Sequence, residues 1–154
     1  MTTESDPANR TTSAAHRLLP RDGSVVMFML VRNADGRPTG YPMTGLFRDG
    51  ELEITTYRKA AKARYLLADD RVCCVVADPD ENGRGVALYG RAAPAAADGF
   101  LTSTGEGSRA AAIEVPDSVR ETVRDRLGSR KRMVFTIRVD ELRELGTWGT
   151  TDAR

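Results

Sequence analysis

Between residues 24 and 57 three strand-like runs follow one another with almost no chain between them. SVVMFMLVR (24–32) leads through NADGRP to TGYPMTGLF (39–47), and that leads through RDG to ELEITTY (51–57). Each link contains Asp-Gly, a hairpin signal, because glycine adopts the positive φ that tight β-turns demand. ELEITTY alternates apolar and polar residues, the period of a strand with one buried face. Links this short leave no room for a crossover, so the runs must pair as an antiparallel meander.

The rest of the chain extends that pattern. RVCCVVA (71–77), VALYGRAAP (86–94) and RMVFTIRV (132–139) read as further strands. Ala63, Leu66 and Leu67, together with Ala60, share one apolar stripe at helical spacing and predict a helix over about 60–69. DSVRETVRDRLG (117–128), with its Asp cap and closing Gly, predicts a second, shorter helix. Residues 98–117 show no period, and the tail ELGTWGT is compatible with one more short strand. The expected fold class is α+β dominated by β, with about six antiparallel strands and one helix inserted after the third, as a barrel or sandwich. Residues 1–23 are polar and irregular and read as a mobile arm, 24–149 as the domain, and 150–154 as a tail.

The second strand is irregular. Gly40, Pro42 and Gly45 weaken a strand interior and suggest a bulge, an edge, or close approach of something flat to the backbone. At the end of the third strand, TTYRKAAKARYL places Arg58, Lys59, Lys62 and Arg64 around a helix N-terminus. The helix dipole already makes that end positive, and no Ser, Thr, Asp or Asn precedes Ala60 to cap it. Such a terminus suits an anion, with Lys62 in the first turn and Arg58 and Lys59 just before it. Arg64 faces another flank. The plain alternative is a solvated basic patch neutralised by Asp69, Asp70 and Glu53. Usage sharpens the point: the chain has 20 Arg and 3 Lys, and Lys59 and Lys62 both lie here.

Other chemistry is sparse. His16 is the only histidine and sits in the arm, so a catalytic triad or metal site is not expected. Cys73 and Cys74 are adjacent, point to opposite faces of a strand, and read as small core hydrophobes. STGEGSR (103–109) lacks the phosphate-loop pattern and follows no strand. A net charge of +1 and 6% aromatic residues argue against a nucleic-acid partner. No apolar run approaches the roughly 20 residues of a membrane span, and no signal-peptide core is visible, so no membrane association and a cytoplasmic location are expected. Without acid–base or nucleophilic machinery, any catalysis must come from a cofactor.

Three blocks of the sequence resemble a known family. They are DGRPTGYPMTGLFRDGELEITTYRKAAKARYLLADDRVCCVVADPD, VALYGRAAP and KRMVFTIRVDELRELGTWG. In this order they are similar to the split β-barrel flavin- and deazaflavin-binding proteins related to pyridoxamine 5′-phosphate oxidase. The resemblance implies a six-stranded antiparallel split β-barrel acting as a homodimer. It implies a bound FMN or coenzyme F420 and hydride transfer with a small organic substrate. A protein of the same fold that sequesters a cofactor or ligand without turnover is the alternative. It further implies that Arg58 and Lys62 hold the cofactor phosphate. Thr55, Thr56 and Tyr57 would line the ribityl chain, and Tyr41, Pro42, Met43 and Thr44 would run along the ring. Trp148 would approach the ring, from the partner subunit in one arrangement. The family often has Ser two residues before the lysine, where this chain has Ala60. The basic C-terminal cluster of true pyridoxamine phosphate oxidases has no counterpart in TWGTTDAR, so vitamin B6 phosphate is not the expected substrate.

Overall fold

The computed structural model describes residues 15–96 and 130–146, with Ser118, Glu121 and Asp125 as single helical positions between them. Six strands and a helix follow in chain order: β1 (Asp22–Arg32), β2 (Pro38–Arg48), β3 (Glu51–Tyr57), α1 (Ala61–Ala68), β4 (Arg71–Ala77), β5 (Gly85–Ala95) and β6 (Arg132–Leu145). They close into an antiparallel barrel in the order β1-β2-β3-β6-β5-β4. The α+β, β-dominated class and the helix after the third strand are as expected from sequence. Among the described residues no helix is long and apolar enough to cross a membrane.

The turns explain the meander. Asp49 and Gly50 both have positive φ, 49° and 79°, the conformation of the two-residue hairpin whose twist matches its strands. In the first link the Asn33 side-chain oxygen accepts hydrogen bonds from the Asp35 and Arg37 N–H groups, each at 3.0 Å, and Gly36 supplies the positive φ. Strand alternation then fills the barrel. Val25, Met27, Met29 and Val31 point inward from β1, to be met by Leu52 and Ile54, Cys74 and Val76, Leu88, and Phe135 and Ile137. Late in the barrel the β5–β6 register shifts between Tyr89 and Gly90, leaving Asp140 unopposed. A Cβ on Gly90 would lie 2.1 Å from the Arg138 carbonyl oxygen, so only glycine fits that bulge.

The most consequential register is a short one, of three residue pairs like the β1–β4 ladder. β1 and β2 pair along their full length, and so do β3 and β6. β2 and β3 pair only over Leu46–Arg48 and Glu51–Glu53. Beyond them, Pro38–Gly45 and Ile54–Tyr57 form no ladder with each other. Gly45 marks the parting. A Cβ there would meet the Glu53 carbonyl oxygen at 3.0 Å and Leu52 and Met27 at 3.1 Å, so the strands touch closely at this point and separate after it. Gly40 and Pro42 lie in the stretch of β2 that is free of β3, where a missing N–H costs little.

Three expectations need correction. Leu67, placed on the helix's apolar stripe, is 58% exposed; the buried positions of α1 are Ala63 and Leu66. The last strand does not stop at residue 139, because β6 continues past the bulge to Leu145. The segment before β1 is docked from residue 15 onward: Leu18 and Leu19 belong to the core, and Arg17 pairs with the buried Asp78. Asp78 also accepts the N–H groups of Asp80 and Glu81 through its Oδ1. The sequence hid this because two leucines have no periodicity to betray them. Leu18→Ala should cost about 2–5 kcal/mol in denaturant unfolding, whereas a mobile arm would give a change near zero.

Candidate functional site

The site grows from the place where β3 turns into α1. Ala60 is extended (φ −69°, ψ 147°), no side chain caps the helix, and no acidic residue occupies its first turn. The terminus therefore keeps its positive end bare. Lys62 projects from that turn toward β2. Its Nζ lies 3.3 Å from Met43 Sδ and 5.3 Å from the centre of the Tyr41 ring. A thioether is a weak acceptor and an aromatic face a partial counter-charge, so neither replaces a carboxylate. Burial, and after it the charge of Arg132, hold the Lys62 amine below its ordinary value of 10.5.

Arg132 is the residue that sequence reasoning missed. Read along the chain, SRKRM is a basic run at the start of a strand and looks solvated. Register changes that reading. Arg132 stands opposite Tyr57 across the β3–β6 ladder, and its guanidinium lies 4.5 Å from the centre of the Tyr57 ring. No sequence signal short of strand pairing would bring residue 132 to the residue 57 corner.

Two of the three acids offered as neutralising partners are engaged elsewhere. Asp69 binds Arg71 at 2.7 Å, and hydrogen bonds from Arg71 bring its carboxyl down to about 2. Asp70 binds Arg91 at 2.7 Å. Glu53 has a buried Oε2 without a hydrogen-bond partner and makes no ion pair with these cations among the described residues. Among the described residues, none of these three acids forms an ion pair with Lys62.

The other expected residues divide by strand parity. On β2, Met43 is buried inward and Tyr41 packs on the core, while Pro42 and Thr44 face outward and are exposed. On β3, Thr56 points inward with a buried hydroxyl that lacks a partner, whereas Thr55 and Tyr57 lie on the outer face. Arg58 is exposed; its Nε donates to the Arg130 carbonyl at 3.1 Å and ties the β3–α1 link to the residues just before β6. Lys59 and Arg64 are exposed. The structure therefore brings Lys62, Tyr41 and Met43 together, with Arg132 and Tyr57 beside them. Trp148 lies outside the described residues. Among those residues no three metal-ligating side chains cluster.

No protein-family model matches the chain, and no curated protein matches it in sequence. Solved structures do. A protein named F420 reductase superposes with a TM-score of 0.57 at 18% identity, over 84% of this chain and 94% of that one. A protein related to general stress protein 26, of the pyridoxinephosphate oxidase family, from Clostridium acetobutylicum gives 0.59 at 10% identity, over 91% and 86%. A heme binding protein from Mycobacterium smegmatis gives 0.64 at 18% identity, over 96% of this chain and 57% of that one. The chain has the split-barrel fold of proteins related to pyridoxamine 5′-phosphate oxidase. Within that split barrel, the short β2–β3 ladder and the bare terminus of α1 are the features from which a binding site would be made.

The depressed Lys62 gives a pH dependence with a definite sign. The folded chain holds this proton less tightly than the unfolded chain, so Lys62 makes the fold more stable as pH rises between its folded value and 10.5. An anion beside the amine has the opposite preference and takes up a proton on binding. Sulfate, which does not titrate in that range, should bind best below the folded value and progressively less tightly above it. Calorimetry on Lys62→Gln should show weaker sulfate binding without that pH dependence.

Proposed function

We propose that this chain is a flavin- or deazaflavin-dependent oxidoreductase that transfers a hydride between its cofactor and a small organic substrate. The observation that carries the reading is Lys62 at an uncapped helix terminus, with no ion pair of its own among the described residues and the charge of Arg132 beside it. That donor set fits a phosphate-bearing tail, which would restore the counter-charge Lys62 lacks and accept from the first-turn N–H groups. The orphaned Thr56 hydroxyl offers one further polar contact on the inner side of β3. Lys62 and Arg132 would hold the phosphate, with Arg58 and Lys59 at its rim. Thr55, Thr56 and Tyr57 would follow the ribityl chain, and Tyr41 to Thr44 would flank the ring.

When bound, the ring system supplies the hydride chemistry; the chain supplies position and shelter. Tyr41 and Met43 form an apolar wall that excludes water, and Lys62 fixes the charged end of the ligand so that the ring's distance from that wall is set. Coenzyme F420 is preferred to FMN. Ala60 gives no hydroxyl to a compact phosphate, whereas a longer, multiply anionic tail spreads over Arg58, Lys59, Lys62 and Arg132. A homodimer completes the proposal. Val26 and Phe28 on the outer face of β1 are exposed, Phe28 by 55%, and Pro42 lies opposite Phe28 on β2. A second copy would cover that face and bring its Trp148 to the ring.

Calorimetric titration with F420 and FMN tests the reading. Charge-assisted bonds contribute about 1.5–3 kcal/mol, so Lys62→Ala should weaken cofactor binding about 10- to 150-fold while Arg64→Ala changes it little. Reduced cofactor on the protein should then be oxidised by enones or quinones in a single turnover. Tight cofactor binding without turnover would support the sequestering function instead.

A further inference from the structure

We propose that Lys62 is a carbonyl-reactive amine that condenses with a small aldehyde bearing a carboxylate, the ligand's anionic group lying against Arg132. The inference goes beyond the cofactor reading and does not require a cofactor. Its basis is the surroundings of the amine. Nζ rests on a thioether at 3.3 Å and beside an aromatic ring, with no carboxylate partner among the described residues. A lysine so placed is partly desolvated and sits near a second cation, the two circumstances that favour the neutral, nucleophilic amine over the ammonium. The lowered proton affinity of Lys62 agrees, its causes being burial and the charge of Arg132. An aldehyde carrying a carboxylate would relieve that repulsion as it delivers its carbonyl carbon to the amine.

The step balances without an oxidant. The neutral amine's lone pair forms the C–N bond, and the carbonyl oxygen departs as water with the two amine hydrogens. One aldehyde and one amine thus give one imine and one water. A bound phosphate and the imine need the same amine, so each excludes the other.

The chain provides its own controls. It has three lysines, and both others, Lys59 and Lys131, are exposed. The full chain, free of cofactor, is incubated near neutral pH with glyoxylate and cyanoborohydride, and the reduced adducts are mapped by peptide mass. Lys62 should be modified at least about fivefold faster than Lys59 or Lys131. Acetaldehyde, which has no carboxylate, should show a smaller preference for Lys62, and Arg132→Gln should remove the advantage of glyoxylate while the circular dichroism of the fold is kept. Modification of Lys62 no faster than at the two exposed lysines overturns the proposal. So does an equal preference with acetaldehyde. No cofactor titration enters either outcome, so failure here is distinguishable from failure of the oxidoreductase reading.

Discussion

The site depends on how far two strands are allowed to pair. β2 is held by β1 over its whole length and β3 is held by β6 over its whole length, yet β2 and β3 meet over three residue pairs only. Gly45 permits the last close contact, and past it each strand has a neighbour on one side alone. Backbone donors and acceptors on the parted edges are the kind of groups that a protein normally keeps paired. The barrel tolerates their separation because its closure is secured elsewhere, by the long β5–β6 ladder and by an interior that runs from Met27 to Phe135. The barrel is joined just as briefly between β1 and β4, over Phe28–Leu30 and Cys73–Val75, but the parted β2–β3 edges are the ones that face Lys62.

Electrostatics at that opening run against the fold's own interest. An uncapped helix terminus and a half-buried lysine with an arginine's charge beside it repel one another, while Asp69 and Asp70 bind other partners. Each such choice costs on the order of 0.3–1 kcal/mol at a helix end, and more when the cation loses water. A chain that only needed to be stable could place a Ser at position 60 or an acid in the first turn. An anionic ligand reverses the sign of each term at once.

Much of this was legible in the sequence, and the rest was hidden for identifiable reasons. The strands follow from Asp-Gly turns, apolar runs and period-two alternation, and the helix from an apolar stripe at helical spacing, all of them local signals. The bare helix terminus with its lysine was visible because Lys62 and the missing cap are adjacent in the chain. Arg132 was not, since only the β3–β6 register brings it to Tyr57. Leu18 and Leu19 were invisible as core because two residues cannot show a period. Leu67 was misplaced because α1 is only eight residues long, too short for the whole stripe to find cover. The expected ring-lining run Tyr41 to Thr44 conceals a parity that the strand enforces: Tyr41 and Met43 turn toward Lys62, and Pro42 and Thr44 turn away.

The central claim is that the parted β2–β3 edges and the first turn of α1 form one ligand site. Backbone amide hydrogen exchange on the full chain, with and without F420 or FMN, tests it most directly. The account predicts slower exchange on ligand addition at Tyr41–Gly45, at Ile54–Tyr57 and at the first turn of α1, with the fully laddered β4–β5 pair unchanged. Protection confined to other segments, or none in these three when a ligand is demonstrably bound, would contradict it.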